Sequence, residues 1–498
     1  MADYDVVVIG AGCGGLSAAS QLARQGRKVL VLEQADRIGG CCSTFEREGY
    51  RFDVGASIVE EIQPIEMAFE MLGTRLQDEV DLIPCDPMMS FILEDGFRVT
   101  YPISLEETEQ IISDISPMDG KSFKEFARYF AGFTAQTMKG FFVSPADTMV
   151  DMARLLLKTP GLLKYAPLFS KSYQDVIIRY FKDEKVQSTM SYQSLYVGLP
   201  PELCPGIFAL LSYSEHEGIY YPRGGMIKIP EAFRRVGKSF GMEVRLNQKV
   251  DRVLVRDRRV EGVALADGTE ITAPVVVSNI NAKTLYLNLI GEDKLPWLAR
   301  YGIKSYEYSK SVPMVYLGID YEPPLEAHHS VVALDFEGIS DYWWNYVTKG
   351  KLRQEPFGLV CWPTHADPSL APEGHHVLNL IPEGSYELSG TDWDREKQPF
   401  IDRTIEFLSK QAIPGLADHV KVIDCATPLD FERRLLLPHG AIYDLQQDLT
   451  SEVIFRPSGR SRSVKGLYLA GNSTHPGGGV PTTIASGIIA SKLVDKYE

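Results

Sequence analysis

The sequence predicts an α/β fold, and three segments carry that prediction. The chain opens with β-branched residues, a glycine loop and a helix, in "DVVVIGAGCGGLSAASQLA". It closes in the same order, in "LYLAGNSTHPGGGVPTTIASGIIASKLV", which starts at Leu467. A middle segment, 221–279, contains a short amphipathic helix (230–240), two alternating strands (250–256 and 260–266) and a buried strand (275–278). Strands that alternate with helices through glycine turns are typical of α/β proteins.

The composition indicates a globular protein of two or three domains. The 498 residues are 44% hydrophobic, and the net charge of −15 disfavours nucleic acid as a partner, because a phosphate-binding surface needs excess Lys and Arg. No run reaches the ~18 apolar residues that would span a bilayer. The N-terminus carries Asp3 and Asp5 where a signal peptide has basic residues. We therefore expect a cytoplasmic protein without a signal peptide or transmembrane helix.

The cysteine and histidine positions predict neither a disulfide framework nor a metal site. The seven cysteines are scattered without C-x-x-C spacing, and adjacent Cys41 and Cys42 are interpreted as small, half-buried residues. The nine histidines form no metal pattern. His328 and His329 are neighbours, and neighbouring residues of a strand point to opposite faces of the sheet. We expect no bound metal.

The N-terminal glycine loop predicts a dinucleotide site. It reads "GAGCGG" (10–15), a G-x-G-x-x-G between a predicted strand (4–9) and a predicted helix (14–25). Gly10 permits the tight turn, Gly12 lets a pyrophosphate approach the backbone, and Gly15 lets helix and strand pack closely. The helix N-terminus offers unpaired N–H groups and a positive dipole end to the phosphates. Cys13 and Gly14 are assigned to the same site.

An acid at the end of the second predicted strand completes the motif. Glu33 lies 21 residues beyond Gly12, where a carboxylate accepts hydrogen bonds from ribose hydroxyls. The next residue, Gln34, is placed in the same site. The following "ADRIGG" supplies a cation and a second exposed stretch of backbone, from residues Arg37, Gly39 and Gly40. This second phosphate-facing turn favours a flavin over a nicotinamide dinucleotide.

With these motifs the sequence resembles the superfamily of FAD-containing amine oxidases and phytoene desaturases. The resemblance lies in the series G-x-G-x-x-G, acid and R-x-G-G, in "YPRGGM" (221–226), in "VVVSN" (275–279) and in "YLAGNSTHPGGGVP" near the C-terminus. It implies FAD as the cofactor. It also implies that both chain ends and a middle segment build one Rossmann-like FAD domain, with a substrate domain inserted between them.

The resemblance sets the expected domain boundaries and the remaining cofactor contacts. The FAD domain would comprise 1–65, 221–282 and 455–498. The substrate domain, a mixed sheet with a helical cap, would comprise 66–220 and 283–454. A strand near Val250 would lie along the adenine. The C-terminal loop would wrap the ribityl chain and the flavin ring, with the residues Gly471, Asn472, Gly479, Val480 and Pro481. The positive N-terminus of the last helix would stabilise reduced flavin.

The resemblance also implies an activity, with two alternatives. The expected reaction is FAD-dependent desaturation of a long isoprenoid or polyene, by hydride transfer to flavin N5 and reoxidation by oxygen or a membrane quinone. However, Cys41 stands where desaturases usually have Arg, and "GGCC" with "FDVGAS" looks more like carotenoid cis-trans isomerases and retinol saturases. The second alternative is a flavoprotein that carries an apolar ligand without turning it over.

The sequence identifies no definite catalytic acid or base. His475 lies inside the C-terminal loop and either approaches the flavin or stabilises the loop. Arg456 either neutralises reduced flavin or pairs with a surface acid. Asp53 is expected to hold its own turn. Hydride removal chiefly needs the flavin in contact with the substrate carbon, so a protein base is optional.

Segment 121–181 is the part of the cap expected to contact an anionic membrane. It contains nine Lys/Arg against four Asp/Glu, interleaved with Phe, Tyr, Leu and Met. Its predicted helix, 149–158, is broken by "TPG" (159–161). A basic and apolar surface of this kind can lie on an anionic bilayer and admit a lipid-soluble substrate. The alternative is an ordinary cap whose lysines are solvated.

Overall fold

Separate parts of the chain contribute strands to each of the two larger sheets. The fold is that of a computed structural model, which describes residues 2–137, 140, 142–145, 148–333, 335–382, 384–448 and 455–498. In these residues the strands are β1 (Val6–Ile9), β2 (Val29–Leu32), β3 (Thr44–Arg47), β4 (Tyr50–Asp53), β5 (Leu82–Pro84), β6 (Met89–Leu93), β7 (Arg98–Tyr101), β8 (Tyr220–Pro222), β9 (Glu243–Arg245), β10 (Val250–Arg256), β11 (Arg259–Leu265), β12 (Glu270–Thr272), β13 (Val275–Ser278), β14 (Met314–Ile319), β15 (His329–Ala333), β16 (Gly358–Cys361), β17 (His376–Pro382), β18 (Val420–Ala426) and β19 (Leu467–Leu469).

The first large sheet is parallel and has the order β19-β13-β1-β2-β9. Its central strands are buried on both faces and consist almost entirely of Val, Leu and Ile, as is typical of parallel sheets. Ile9 lies opposite Ser278, and Ser278 lies opposite Leu469. The carboxyl ends of β1, β13 and β19 therefore meet at one edge, and the loops that follow them start at the same place.

The second large sheet is mixed and has the order β18-β14-β17-β16-β15-β6-β7. Strand β6 pairs in parallel with β15, and the other neighbours are antiparallel. Strands β10, β11 and β12 form a small antiparallel sheet, and two-stranded sheets join β3 to β4 and β5 to β8. The predicted α/β fold, with a parallel and a mixed sheet, is confirmed.

Helices cover both larger sheets. The α-helices in the described residues are α1 (Cys13–Arg24), α2 (Gln63–Leu72), α3 (Leu76–Glu79), α4 (Leu105–Ile115), α5 (Pro117–Thr137), α6 (Met149–Lys158), α7 (Tyr173–Tyr180), α8 (Glu184–Thr189), α9 (Leu211–Ser214), α10 (Lys228–Ser239), α11 (Trp297–Ser305), α12 (Phe336–Asn345), α13 (Pro363–Ala366), α14 (Trp393–Gln411), α15 (Leu416–His419), α16 (Pro428–Leu435) and α17 (Val480–Tyr497). Short 3-10 segments follow or join several of them, including Pro160–Ser170 after α6 and Glu215–Glu217 after α9.

Helix α1 packs closely against α17 and α10 because small residues face each other. The Ser17 hydroxyl donates to the carbonyl of Ile484 at 2.9 Å, and the Ser20 hydroxyl donates to the carbonyl of Phe233 at 2.9 Å. A Cβ on Gly487 would lie 2.5 Å from the carbonyl oxygen of Gly14. The first and last helices of the chain are thus in direct backbone contact.

The structure confirms most predicted elements with small changes at their ends. Helix α6 and strands β10 and β13 have the predicted bounds. Strand β1 starts at Val6 rather than residue 4, and α17 starts at Val480, one residue before Pro481. Proline fits in the first turn of a helix because its missing N–H is not needed there.

Candidate functional site

Two glycine loops and one asparagine meet at the carboxyl edge of the parallel sheet. Asn279 directly follows β13, between the loop that leaves β1 and the loop that leaves β19. A Cβ on Gly12 would lie 2.6 Å from Asn279 Nδ2, and one on Gly471 would lie 2.7 Å from Asn279 Oδ1. Both distances are shorter than non-bonded atoms approach. Glycine at each position therefore lets the two loops close on the same side chain.

The helices that follow these loops begin next to each other. The residues that precede their first turns are Gly12 for α1 and Gly479 for α17, and neither has a side-chain capping hydrogen bond. A Cβ on Gly14 would lie 2.8 Å from the backbone nitrogen of Gly471. First-turn N–H groups without a side-chain cap can bind an anionic group, aided by the positive ends of both helix dipoles. The arrangement suits phosphates and an electron-rich ring.

A cavity of about 1700 Å³ opens at these two loops. Pockets for a single small ligand usually measure ~300–1,000 Å³, so this cavity has room for a dinucleotide and a second ligand. Its wall includes most of the predicted binding residues, namely Gly10, Gly12, Cys13, Gly14, Glu33, Gln34, Gly39, Gly40, Val250, Gly471, Asn472, Gly479, Val480 and Pro481. The residues present therefore fit a dinucleotide.

Glu33 stands at the end of β2, where its carboxylate braces the glycine loop. Its Oε2 accepts a hydrogen bond from the Ala11 N–H at 2.8 Å, and its Oε1 accepts one from the Ala35 N–H at 2.9 Å. Burial raises the pKa of this carboxyl, while the backbone hydrogen bonds lower it. Each oxygen keeps a further lone pair, so Glu33 can hold the loop and accept from a ribose hydroxyl at once.

Two of the residues predicted to bind the cofactor lie outside the cavity wall. A Cβ on Gly15 would lie 2.2 Å from the carbonyl oxygen of Gly10, so Gly15 serves helix–strand packing. Arg37 is exposed, and its Nε lies 3.0 Å from Asp36 Oδ1 in an ion pair. The structure therefore places the predicted cation at the surface beside an acid, because that acid is its immediate chain neighbour.

The two candidate catalytic residues, His475 and Arg456, lie at different positions relative to the cavity. His475 is buried and lines the cavity. Arg456 is also buried, and it donates from Nη2 to the carbonyl of Asn472. Burial raises the pKa of the Asp444 carboxyl, and the charge of Arg456 offsets part of that rise. Arg456 thus supports the C-terminal loop through a backbone carbonyl and acts electrostatically on a buried acid.

Sequence reasoning missed the residues that hold the C-terminal loop from the insertion. The Gly478 N–H donates to Gln447 Oε1 at 2.9 Å. Asp444 accepts hydrogen bonds from Asn281 Nδ2 and from the Ser473 hydroxyl, and burial raises the pKa of its carboxyl. No local pattern around 444–447 indicates these contacts. Asn279 could have been recognised from the sequence, because it is the polar residue at the end of "VVVSN" and directly follows a buried strand.

Asp53 and the adjacent histidines form a buried polar layer beside the cavity. Asp53 accepts from Thr44 Oγ1 at 2.8 Å, from the Met226 N–H at 2.9 Å and from the Tyr221 hydroxyl at 2.6 Å, which agrees with a structural role. His328 and His329 both contact Ser57, through its carbonyl at 3.1 Å and its hydroxyl at 3.0 Å. His328 lies just before β15 and His329 is the first residue of that strand.

The adjacent cysteines are neutral thiols. Cys42 Sγ donates to the carbonyl of Met226 at 3.4 Å. Burial raises the pKa of Cys41 to about 12, and the pKa of Cys42 is also raised, by its interaction with Cys13 and by burial. A thiol with so high a pKa does not form the nucleophilic thiolate. Cys41 therefore contributes an uncharged surface to the cavity, where the related desaturases were expected to have Arg.

The far part of the cavity is apolar and is built by the helical cap. The side chains in its wall come from α5, α6, the segments 160–170 and 192–210, and α12, and they include Phe133, Met152, Leu156, Leu162, Leu163, Ala166, Phe169, Leu195, Phe208 and Trp343. This wall continues from the glycine loops without a division into two cavities. A ligand bound in it would meet the C-terminal loop at its inner end.

The outer surface of the cap combines apolar and basic side chains. Met149 is 69% exposed and Leu157 is 82% exposed, and Leu163 and Phe169 are also exposed while lining the cavity. Among the helices described, none combines the length and the apolar character that crossing a bilayer requires. The described residues also contain no group of three or more His, Cys, Asp or Glu side chains that could hold a metal ion.

Known proteins match almost the whole chain. A family model described as flavin containing amine oxidoreductase matches residues 13–495. A neurosporene-forming phytoene desaturase of Rhodobacter capsulatus is 31% identical, over 98% of this chain and 93% of that protein. A lycopene-forming phytoene desaturase of Pseudescherichia vulneris is 30% identical over 98% of each. A solved oxidoreductase structure from Methanosarcina mazei has a TM-score of 0.61 at 18% identity, covering 98% of this chain and 99% of that chain, which shows the shared fold.

Proposed function

The chain belongs to the family of flavin containing amine oxidoreductases, and we propose that it desaturates a long apolar isoprenoid or polyene. Membership confirms the expected oxidoreductase class and the FAD cofactor. The relatives named phytoene desaturases match this chain along nearly its whole length, which supports the same substrate class here.

One observation carries the proposal. The cavity is continuous from the two glycine loops to the apolar wall of the cap, and its volume of about 1700 Å³ exceeds what a dinucleotide alone needs. The apolar wall has no role in binding phosphates or ribose. A long apolar substrate fits that wall and reaches the flavin end of the cavity.

The proposed division of the chain into two domains is supported by the segments that contribute strands to each sheet. Residues 1–65, 221–282 and 455–498 supply every strand of the parallel sheet and form the FAD domain. Residues 66–220 and 283–454 supply the mixed sheet and the cap, and form the substrate domain. The cavity-lining residues of the glycine loops, with Glu33 and Val250, bind FAD in this proposal. Arg37 and Gly15 support the site from outside the cavity.

The protein's own groups contribute binding, orientation and exclusion of water. FAD, when bound, supplies the acceptor for the hydride removed from the substrate. The N-terminus of α17 lies at the cavity wall, and its N–H groups would stabilise negative charge on a reduced flavin bound there. The apolar wall holds the polyene in one orientation and keeps water away, so that proximity provides much of the rate.

Substrate entry through the cap from an anionic membrane is part of the same proposal. Leu163 and Phe169 are exposed to solvent and also line the cavity, so the cavity reaches the surface between them. Lys158, Lys164 and Lys171, which are close to these two residues in the chain, are also exposed. A lipid-soluble substrate and a membrane quinone would both be available there, with oxygen as the other possible acceptor.

An anaerobic assay with the purified FAD-loaded protein tests the proposed reaction. Phytoene in phosphatidylcholine and phosphatidylglycerol vesicles should bleach the flavin absorbance, and mass spectrometry should show a product lighter by two hydrogens for each double bond formed. The protein with Gly12→Val, which is expected to lack FAD, is the control.

Other outcomes would contradict desaturation. Conversion that requires reduced flavin and leaves the mass unchanged would identify an isomerase, and a gain of two hydrogens would identify a saturase. Binding without any change in the polyene would identify a carrier. The mass spectrum of lipid that co-purifies with the protein gives a second, independent measure of the substrate class.

A further inference from the structure

Four glutamates form a group at the cavity, and two of them line its wall. The binding of FAD does not use them. Glu60 and Glu61, in the loop before α2, line the cavity. Glu215 and Glu217 lie on the short helical segment 215–217 and act electrostatically on them, Glu215 on Glu60 and Glu217 on Glu61. Among the described residues, the charges that shift the pKa values of Glu60 and Glu61 all belong to carboxylates, and none belongs to a cation.

Several oxygens of the group have no hydrogen-bond partner among the described residues. Glu215 is 1% exposed, and its Oε2 accepts from Gln193 Nε2 at 3.2 Å while its Oε1 has none. Glu61 Oε1 is likewise buried without a partner, and so is the hydroxyl of Tyr196, which lines the cavity nearby. An unsatisfied buried polar group costs about 1–3 kcal/mol. Such groups persist where a reaction or a ligand uses them.

The protonation of the group suits proton exchange near neutral pH. Burial, reinforced by the Glu217 carboxylate, raises the pKa of Glu61 to about 7. Burial raises the pKa of Glu215 to about 8, and burial with repulsion from Glu215 and Glu61 raises that of Glu60 well above its usual value. At neutral pH Glu60 and Glu215 therefore keep protons while Glu61 is partly ionised. A base is most efficient when its pKa lies near the working pH.

Three titratable side chains, His329, Tyr196 and Tyr213, are poor bases at neutral pH. His329 lines the cavity, but burial lowers its pKa well below the usual value, so protonating it there is costly. The pKa values of Tyr196 and of Tyr213, which contacts Glu217, are raised by burial, and both phenols stay neutral. Of these groups, the Glu61 carboxyl has the pKa, about 7, that suits uptake of a proton at neutral pH.

Resting on the proposed desaturation, we propose that Glu61 is the base that receives the proton lost by the substrate, and that Glu60 and Glu215 confine the negative charge to it. Two C–H bonds break in each desaturation. One hydrogen leaves with its electron pair as hydride to FAD. The other leaves as a proton to the Glu61 carboxylate, which becomes a carboxylic acid, and the electron pair of that C–H bond becomes the new π bond. The same carboxylate attracts the positive charge that develops on the allylic carbon.

The test is single-turnover reduction of the FAD-loaded protein by phytoene in lipid vesicles, measured anaerobically from pH 5.5 to 9. In the wild type the rate should rise with pH, because the ionised form of Glu61 is the active one, with a midpoint near 7. Glu61→Gln should lower the rate by about 10²–10⁴-fold and remove that rise, while FAD content is unchanged.

Glu217→Gln is the matched control, because Glu217 is a neighbouring glutamate that does not line the cavity. Burial is the main cause of the raised pKa of Glu61, and the Glu217 charge adds to it. Removing that charge should leave the rate in place and move its midpoint to lower pH. A merely structural role of the group would lower rates at all pH values without moving the midpoint. This variant keeps the test decisive even if Glu61→Gln does not fold.

Infrared spectroscopy of the carboxyl C=O stretch provides a readout without substrate. The wild type should lose protonated-carboxyl signal between pH 6 and 8, and Glu61→Gln should lose less. Phytoene oxidation by Glu61→Gln with the wild-type rate and pH profile would overturn the assignment of the base and leave the desaturase proposal intact. Failure of the wild type to oxidise phytoene at any pH would overturn both.

Discussion

At the residue scale, position 12 requires glycine because of close contacts and not because of its backbone conformation. Gly12 has φ −73° and ψ 175°, an extended conformation that any residue adopts. A Cβ there would lie 2.6 Å from Asn279 Nδ2, at the wall of the cavity. Gly10, two residues earlier, instead has φ +93°, which favours glycine for conformational reasons. The motif therefore combines one glycine required by the turn with one required by close approach.

Gly12→Val should abolish FAD binding. Its side chain would displace Asn279 and occupy the place where the pyrophosphate must contact backbone. Flavin absorbance per protein after purification measures the effect. Gly302→Val is the control, since a Cβ at Gly302 in α11 meets nothing within 4 Å. Full FAD occupancy in the Gly12 variant would contradict the assignment of the site.

Glu33→Ala should weaken FAD binding and also lower stability. Removing one or two charge-assisted hydrogen bonds of about 1.5–3 kcal/mol each should raise the Kd at least about tenfold. The N–H groups of Ala11 and Ala35 also lose their acceptor, so the free energy of unfolding should fall by about 1–3 kcal/mol.

Titration calorimetry with FAD and urea unfolding of the apo protein separate the two effects of Glu33→Ala. Glu33→Gln, which keeps one acceptor oxygen but loses the charge, should bind FAD more weakly with a smaller loss of stability. A lowered stability with an unchanged Kd would mean that Glu33 only braces the loop.

At the scale of elements, α6 and the segment that follows it have one side buried in the cap and one side exposed to solvent. Leu155, Leu162 and Leu168 are buried in the cap, whereas Leu157 is 82% exposed on the same stretch. Lys164 also lies over the rings of Tyr129 and Tyr165, with its Nζ 5.6 and 5.3 Å from their centroids. An apolar surface interleaved with cations is the pattern of helices that lie in a membrane interface.

Replacing Lys158, Lys164 and Lys171 with Glu should release the protein from anionic vesicles. Each cation near the surface contributes about 1 kcal/mol of attraction, which salt screens. Co-sedimentation with phosphatidylglycerol vesicles at low salt measures binding, and FAD content should be unchanged. The control is Lys349, Lys351 and Lys410 to Glu, exposed lysines far along the chain that give the same change in net charge. Equal binding by both variants would indicate an ordinary solvated cap.

At the scale of the whole molecule, one cavity joins two differently built regions. Its polar end depends on backbone from both chain ends and the middle, and its apolar end depends on the cap. A ligand at the polar end therefore holds three distant segments together. The overall charge of −15 opposes general adsorption to an anionic surface, so any membrane contact must be local and oriented.

FAD should raise the melting temperature in a concentration-dependent way. A ligand that binds only the folded state stabilises it by about 2.7 kcal/mol at 100 times its Kd and about 4.1 kcal/mol at 1,000 times. Differential scanning fluorimetry of apo protein titrated with FAD measures this. The Gly12→Val protein should show no rise. A wild-type melting temperature that ignores added FAD would contradict the assembly of the site from three segments.

Short-range patterns predicted a large part of the fold and of the site. The strand, glycine loop and helix at 6–24, the helix at 149–158 and the strands at 250–256 and 275–278 follow from periodicity, turn residues and breakers. These signals act within a few residues, so they need no knowledge of the fold. The same holds for most of the cavity-lining glycines, whose spacing reflects local turn geometry.

The sequence by itself determined the elements and the kind of ligand, and the tertiary structure decided which distant side chains meet. Asn281 bonds Asp444 across 163 residues, and Gln447 reaches the C-terminal loop, without any local signal. Tertiary packing also brought Glu215 close to Glu60. The physical reason is that hydrogen bonding and desolvation at these positions depend on burial by other segments, which no short window of sequence contains.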